Sequence, residues 1–369
     1  MLELRSISHA FGDVEAVHNL DLVVETGQVL CLLGPSGCGK TTALRIAAGL
    51  EPVQTGEVLI NDKRVAGNGA QLPPESRSVG LVFQDFALFP HMTIADNVAF
   101  GLGHLSQSQR RERVHEVLTL VGMEKYTSAY PHMLSGGQQQ RIALARAIAP
   151  NPSVLLLDEP FSGLDARLRT QVRDDTLHIL KASGTTSLVV THDPEEAMFM
   201  GDQVAVMNAG SLEQIGPPDE IYFSPRSAFV AEFLSDVNRL TGYVHDEEVQ
   251  TALGPIAASG FADDTMVEVL VRPEAILIHG MDGEQRSNGS ALGGHHPTAK
   301  VIESRLLGRT SLIHLSILNG QGKHHSLASD DEAHLHARVP GRYLPKSDTV
   351  VGLAVDRSQA FVFATEKLT

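Results

Sequence analysis

Val29-Leu30-Cys31-Leu32-Leu33-Gly34-Pro35-Ser36-Gly37-Cys38-Gly39-Lys40-Thr41 is the stretch on which the reading of this chain turns. Five consecutive apolar residues suit a strand buried on both faces of a parallel sheet. Gly34 to Thr41 then matches G-x-x-x-x-G-K-[ST], and Thr41 to Gly49 reads as a helix stopped by glycine. Glycines let the backbone wrap a phosphate with its N–H groups, and the start of the following helix adds the positive end of its dipole. In this setting Gly34, Pro35, Ser36, Gly37, Cys38 and Gly39 form the cradle. Lys40 reaches the β and γ phosphates, Thr41 ligates Mg2+ and Thr42 donates to the α phosphate. A matching acid follows: Asp158 ends the apolar run Val154-Leu155-Leu156-Leu157, where it can hold Mg2+ through water. Glu159 comes next and can polarise an attacking water.

Outward from these two runs the pattern alternates. Leu2, Leu4 and Ile7 predict an edge strand, and Val14–Val24, Val79–Phe83, Ser187–Thr191 and Val204–Met207 predict further strands. Residues 107–121, Gly136–Ala149, Ala166–Ala182 and Pro194–Met200 predict helices, the second ended by Pro150 and Pro152 and the last opened by an Asp193 cap. Strands alternating with helices predict a mostly parallel sheet with helices packed on it. The character changes after Leu234. Short β-like runs at 267–271, 312–317, 349–353 and 360–363, separated by glycine-rich polar stretches, predict a small all-β domain.

The chain has 369 residues, which at about 100–200 residues per domain implies two or three domains. Asp and Glu number 44 against 29 Lys and Arg, for a formal net charge of −15. A binder of phosphate backbones presents a basic face. None is evident here, so nucleic acid is not an expected partner, nor is a directly bound anionic membrane surface. Cys31 and Cys38 have neither CxxC nor zinc-like spacing and read as free thiols in a reducing compartment. Met1 to Arg5 show no secretory pattern, and no stretch approaches 18 consecutive apolar residues. The expectation is a soluble cytosolic chain, with attachment to a membrane protein left open.

Between the loop and the second acid lies Leu134-Ser135-Gly136-Gly137-Gln138-Gln139-Gln140-Arg141. With this stretch intact, the chain resembles the ATP-binding subunits of ABC transporters, specifically the importer group with a C-terminal regulatory domain. The resemblance implies an α/β P-loop ATPase domain of ABC type over residues 1–235, with a helical subdomain at about 92–150. A small all-β, OB-like regulatory domain is implied over 236–369. ATP and Mg2+ are the implied cofactors and ATP hydrolysis the implied activity. Gln84 matches the glutamine that senses the γ phosphate and Mg2+. Ser162-Gly163-Leu164-Asp165 matches the loop that crosses the dimer interface, and Asp165 joins the nucleotide-binding set. His192 matches the switch histidine. Phe11 falls where the family stacks an aromatic ring, usually tyrosine, on adenine.

The signature has its own physical logic. Ser135, Gly136, Gly137 and Gln138 open a helix whose N–H groups and dipole suit a γ phosphate. In the family this end faces the cradle of a second subunit, so that two ATPs are sandwiched between two chains. The implied partners are a second copy, two membrane-spanning permease subunits and, through these, an extracytoplasmic solute-binding protein. The implied location is peripheral, on the cytoplasmic face of the inner membrane. Phe86 and Phe89 read either as permease contacts or as core.

Val271-Arg272-Pro273-Glu274 resembles a motif of the regulatory domain. Leu72–Arg77, Tyr130–Arg141 and Ala147–Pro150 resemble the ferric iron importer subunits best, so ferric iron is the expected solute. Polyamine, sulfate or molybdate, and sugar import are the alternatives. Nine of 17 histidines lie after residue 236: His245, His279, His295, His296, His314, His324, His325, His334 and His336. They read as exposed loop residues or as a regulatory transition-metal site. Two rival classes fit the chain less well. A soluble non-transport ABC ATPase usually carries two ATPase units or basic arms, and neither is evident. A non-hydrolysing signalling subunit is at odds with intact Glu159 and His192.

Overall fold

Three fully buried strands build the centre of the first unit. Val29–Leu33, Val154–Asp158 and Thr186–Thr191 are buried along their whole length, as strands covered on both faces must be. The computed structural model describes residues 1–280, 297–318 and 334–365. In it, these strands sit inside a six-stranded sheet. Its spatial order is Ser211–Gly216, Gln203–Asn208, Val29–Leu33, Thr186–Thr191, Val154–Asp158, Val79–Val82. Every neighbouring pair is parallel except the edge strand Ser211–Gly216, which turns back antiparallel.

The register decides where chemistry can gather. Leu33 lies opposite Thr191, Asp158 opposite Val190, and Val82 opposite Leu157. The carboxyl ends of four strands therefore share one edge, and the residues that follow them include Gly34, Glu159, His192 and Gln84. That edge is where open parallel sheets bind ligands.

A second sheet, antiparallel, runs Val14–Val24, Leu2–Phe11, Thr55–Ile60, Lys63–Gly67, Ala70–Gln71. Leu2–Phe11 is thus an interior strand and not the edge strand expected. The Thr55–Ile60 strand pairs with its second side, and a short run interrupted by glycine and glutamate gave little warning of it. Helix α1 (Lys40–Ala48) buries Ala43, Leu44, Ile46 and Ala47 in a core shared with residues of both sheets. Gly49 ends it at φ 86°, leaving room for the Arg77 guanidinium, which donates to the Ile46 and Ala47 carbonyls.

The helical segment contains α2 (Ile94–Ala99), α3 (Gln107–Leu120) and α4 (Gly136–Ile148). Both α3 and α4 open with a full capping box, Ser106 with Gln109 and Ser135 with Gln138. Then come α5 (Ala166–Ser183) and α6 (Pro194–Met200), capped by Asp165 and Asp193. No helix among the described residues is long and apolar enough to cross a membrane.

The chain divides into two units, Met1–Ile221 and Tyr222–Thr369. The expected boundary, after residue 235, lay further along. Within the second unit, fully buried Arg272 explains the difference. Its side chain donates to the Tyr222 carbonyl at 2.7 Å and to Ser235 Oγ at 2.8 Å, and stacks over the Tyr222 ring. Residues 222–235, which include the helix Ala228–Leu234, are thereby tied to the β-rich part. That part is all-β, as expected, and its strands form two five-stranded antiparallel sheets over one apolar core. One sheet is centred on Asn238–His245 and the other on Thr298–Leu306.

Candidate active site

Backbone shape comes first. Gly37 and Gly39 hold φ of 83° and 102°, a region open chiefly to glycine. A Cβ on Gly39 would strike the Ala16 carbonyl, and one on Gly34 the Met207 carbonyl. The loop is therefore pressed between its neighbours, and the Cys38 N–H closes it on the Pro35 carbonyl at 3.3 Å. Lys40 is buried, and its ammonium donates to the carbonyls of Gly34 and Pro35, each at 2.8 Å. Burial pushes the Cys38 thiol up, against the pull of Lys40. Such a thiol is inert rather than reactive. Ser36 is exposed, while Pro35 and Thr42 are half-buried.

Thr41 and Asp158, 117 residues apart in sequence, meet here. The Thr41 hydroxyl donates to Asp158 Oδ1 at 3.0 Å. A hydroxyl and a carboxylate beside a glycine cradle form a hard-oxygen donor set, which fits Mg2+. Burial pushes the Asp158 carboxyl up from the ordinary range. The Thr41 hydrogen bond, Arg45 and Lys40 oppose the shift, and the charge of Glu159 adds to it. A raised acid holds its proton more tightly folded than unfolded. Its contribution to stability is full at low pH and is lost as pH rises through the raised value. Near neutral pH an ionised Asp158 therefore weakens the nucleotide-free fold. Asp158→Asn is expected to melt at or above the native temperature near neutral pH, while Mg2+-dependent ATP hydrolysis is lost. A melting temperature several degrees lower would show instead that Asp158 stabilises the fold.

Glu159 holds φ of 42°, rare for a residue with a side chain. Three bonds over-determine it: its N–H donates to the Val190 carbonyl at 3.0 Å, and its own carbonyl accepts from Ser162 N–H and Oγ. Strained backbone held this firmly is common at functional sites. The side chain reaches His192, with Nδ1 3.1 Å from Oε2. A carboxylate and an imidazole at the mouth of a phosphate cradle can manage a proton taken from water. Gln84 lies exposed just beyond the Val79–Val82 strand. Phe11 closes the Leu2–Phe11 strand with its ring half exposed and packed edge-on against His9.

Sequence reasoning missed the bonded groups on either side of His192 in the chain. The Thr191 hydroxyl donates to Glu196 Oε2 at 2.6 Å and accepts from Asp193 N–H at 3.1 Å. Burial, with Asp193 adding, pushes the Glu196 carboxyl up, against Thr191, Arg169 and His192. Arg169 of α5 donates to the Leu164 carbonyl at 3.1 Å and lies 3.6 Å from Asp193. The only signal in the sequence was the Asp193 helix cap, which announces a helix start and nothing about His192.

The remaining expected residues form a separate group. Ser135 and Gln138 satisfy each other at the start of α4, and Gln138 Nε2 donates to the Tyr126 hydroxyl at 3.0 Å. Asp165 Oδ1 accepts from Arg167 and Leu168 N–H. Gly137 lets α4 close on α5, because a Cβ there would lie 2.6 Å from Val172 Cγ2. Gly136 likewise faces Leu164. Among the described residues no hydrogen bond or ion pair joins Ser135–Gln138 to the Gly34–Thr42 cradle. Phe86 and Phe89 are half-buried, and Phe89 packs against the exposed Phe100.

The family profile described as ABC transporter matches residues 17–162, a span that contains both the cradle and the Ser135–Gln138 stretch. The spermidine/putrescine import ATP-binding protein PotA of Oleidesulfovibrio alaskensis is 44% identical over 299 residues, covering 77% of this chain and 79% of that protein. The chain belongs to the ABC transporter family of import ATP-binding proteins. Another ABC transporter relative, the Fe(3+) ions import ATP-binding protein FbpC of Mesorhizobium japonicum, is 40% identical over 321 residues, covering 86% and 87% of the two chains. Among solved structures, a dimeric ATP-binding cassette in a post-hydrolysis state with ADP and Pi aligns at TM-score 0.52 and 32% identity. It covers 59% of this chain and 99% of its own. This ABC transporter chain is thus an importer ATPase subunit, and the ferric iron expected from motif likeness is not singled out among its relatives.

In the second unit, His314 and His336 face each other across paired strands with ring centroids 4.5 Å apart. Among the described residues no three His, Cys, Asp or Glu side chains converge as a metal site. His295, His296, His324 and His325 lie outside the described residues.

Proposed function

We propose that two copies of this chain hydrolyse ATP at two shared sites and so drive a permease that imports a polyamine. The observation that carries the dimer is the separation of the two groups within one chain. The cradle, Asp158, Glu159 and His192 form one group; the phosphate-seeking start of α4, with Asp165 close by, forms the other. Each is half a site, and a second copy supplies the complement.

In this reading Gly34–Thr42 hold the triphosphate, with Phe11 against the adenine. Lys40 exchanges its two carbonyl bonds for phosphate oxygens. Thr41 and Asp158, with Gln84, hold Mg2+, which when bound neutralises charge on the β and γ phosphates. Glu159 takes a proton from the attacking water as its oxygen bonds to the γ phosphorus. The bond from that phosphorus to the β–γ bridging oxygen breaks, leaving ADP and phosphate. His192 fixes the Glu159 carboxylate, and Ser135, Gly136, Gly137 and Gln138 of the other copy donate to the γ phosphate. The ATPase unit is taken as residues 1–221, with the regulatory unit following. Two permease subunits and, through them, an extracytoplasmic binding protein complete the assembly. It places this chain on the cytoplasmic face of the inner membrane.

The polyamine assignment rests on the name carried by the 44% identical relative and repeated by further relatives of 45–46% identity. The 40% identical ferric iron relative keeps iron as the second reading. The test is uptake of labelled spermidine, ferric iron, sulfate and maltose in cells lacking this chain, complemented with the native or the Glu159→Gln form. Spermidine uptake restored by the native form alone is the expected result. Restoration of a different solute would retain the mechanism and remove the polyamine, and restoration by both forms would overturn the mechanism.

A further inference from the structure

Beyond Gln84 the chain enters a stretch that no strand holds. Phe86 and Ala87 are both left-handed, with φ of 63° and 46°, a conformation that side-chain-bearing residues take up only when neighbours impose it. Two helices impose it. From α2, fully buried Asn97 accepts from Phe89 N–H at 2.8 Å and donates to the carbonyls of Phe89, Met92 and Thr93 at 3.0–3.3 Å. From the last turn of α4, Arg146 donates through Nη1 to the Ala87 carbonyl at 2.6 Å and through Nη2 to the Phe86 carbonyl at 3.0 Å. Its guanidinium carbon also lies 5.5 Å from the centroid of the Phe89 ring. Asp85 is the acid whose charge it feels. A planar fork can hold two successive carbonyls at once, which a lysine ammonium on a flexible stem cannot reproduce.

We infer that Arg146 is the positioning residue for Gln84, pinning the two left-handed residues that set where the glutamine stands at the cradle. The inference rests on the role given to Gln84 above. It adds that the helix opened by Ser135–Gln138 at one end fixes the Gln84 loop at the other. Asn97 secures the far end of the loop, at Phe89 to Thr93. Nearest Gln84, the Phe86 N–H donates to the Phe83 carbonyl at 3.0 Å, and Arg146 is the side chain that ties this turn to a helix. Nothing in the sequence marked this arginine, because a single basic residue near a helix end reads as a solvent-exposed cap partner.

The test is a double-mutant cycle on the full chain with Arg146→Ala, Gln84→Ala and the pair. kcat and KM for ATP, nucleotide affinity and melting temperature are measured for each. If Arg146 acts through Gln84, Arg146→Ala lowers kcat by about tenfold with KM changed by less than about twofold, and the pair is no slower than Gln84→Ala alone. Arg146→Lys, which keeps the charge and loses the fork, falls between native and Arg146→Ala while melting like native. Multiplicative losses in the pair would overturn the inference, as would native kcat in Arg146→Ala. If Arg146→Ala does not fold, Arg146→Lys carries the cycle with the same criteria. Failure of the underlying reading is seen separately: native-rate hydrolysis by Gln84→Ala alone would remove the role of Gln84, whatever Arg146 does.

Discussion

Glu159→Gln is expected to cut steady-state ATP hydrolysis by about a hundredfold or more, the range of a lost general base, while ATP binding persists. Glutamine keeps the shape of the side chain and the backbone bonds to Val190 and Ser162 that hold φ at 42°. It loses the ability to accept a proton from water. Removing the charge also relieves Asp158, whose carboxyl is pushed up in part by Glu159. Triphosphate affinity should therefore hold or rise. With closure intact and hydrolysis blocked, the ATP-bound pair should accumulate. Size-exclusion chromatography with ATP should show a dimer for Glu159→Gln, and a monomer for the native chain once its ATP is spent. Native-rate turnover by the variant would remove Glu159 from the chemistry.

Gly39→Ala should be nearly as damaging, for a reason of shape. Gly39 combines φ of 102° with contact against the Ala16 carbonyl and lies 3.3 Å from Val17 Cγ2 where a Cβ would stand. The dihedral alone costs about 1–3 kcal/mol, and forcing a methyl into packed backbone about 1–3 kcal/mol more. Domain stability is only about 5–15 kcal/mol, so a markedly lower melting temperature and loss of nucleotide binding are expected. Gly37→Ala is the internal control. Its φ is 83°, yet a Cβ there meets nothing within 4 Å, so it bears only the dihedral part. Thermal melting and binding of a fluorescent ATP analogue on both variants decide the matter. Equal behaviour of the two would show that close approach to Ala16 is unimportant.

Much of the site was legible beforehand because its parts are local. Gly34 to Thr41 is one contiguous turn, and its Gly37 and Gly39 hold dihedrals open chiefly to glycine. Val29–Leu33 and Val154–Leu157 are continuous apolar runs because both faces are covered, so burial wrote itself into composition. Asp158, Glu159 and His192 sit at or just beyond strand ends, where apolar runs stop. The ABC transporter resemblance drew on such contiguous stretches. It pointed to ferric iron, which the relatives do not single out, because motifs that bind ATP carry no contact with what is transported.

Other features depended on partners far along the chain. Leu2–Phe11 is interior only because Thr55–Ile60 lies beside it. The division at Tyr222 follows from Arg272, whose bond to the Tyr222 carbonyl spans 50 residues. Arg146 reaches carbonyls 59 and 60 residues back, and a carbonyl oxygen has no signature in sequence because every residue has one. The chain by itself determined the phosphate cradle, the acids beside it and the all-β character of the tail, since each follows from neighbouring residues and their periodicity. Only the tertiary structure decided that Thr41 meets Asp158, that Glu159 meets His192, and that Arg146 grips the loop of Gln84. Those pairings arise where strand register and helix packing bring distant backbone together.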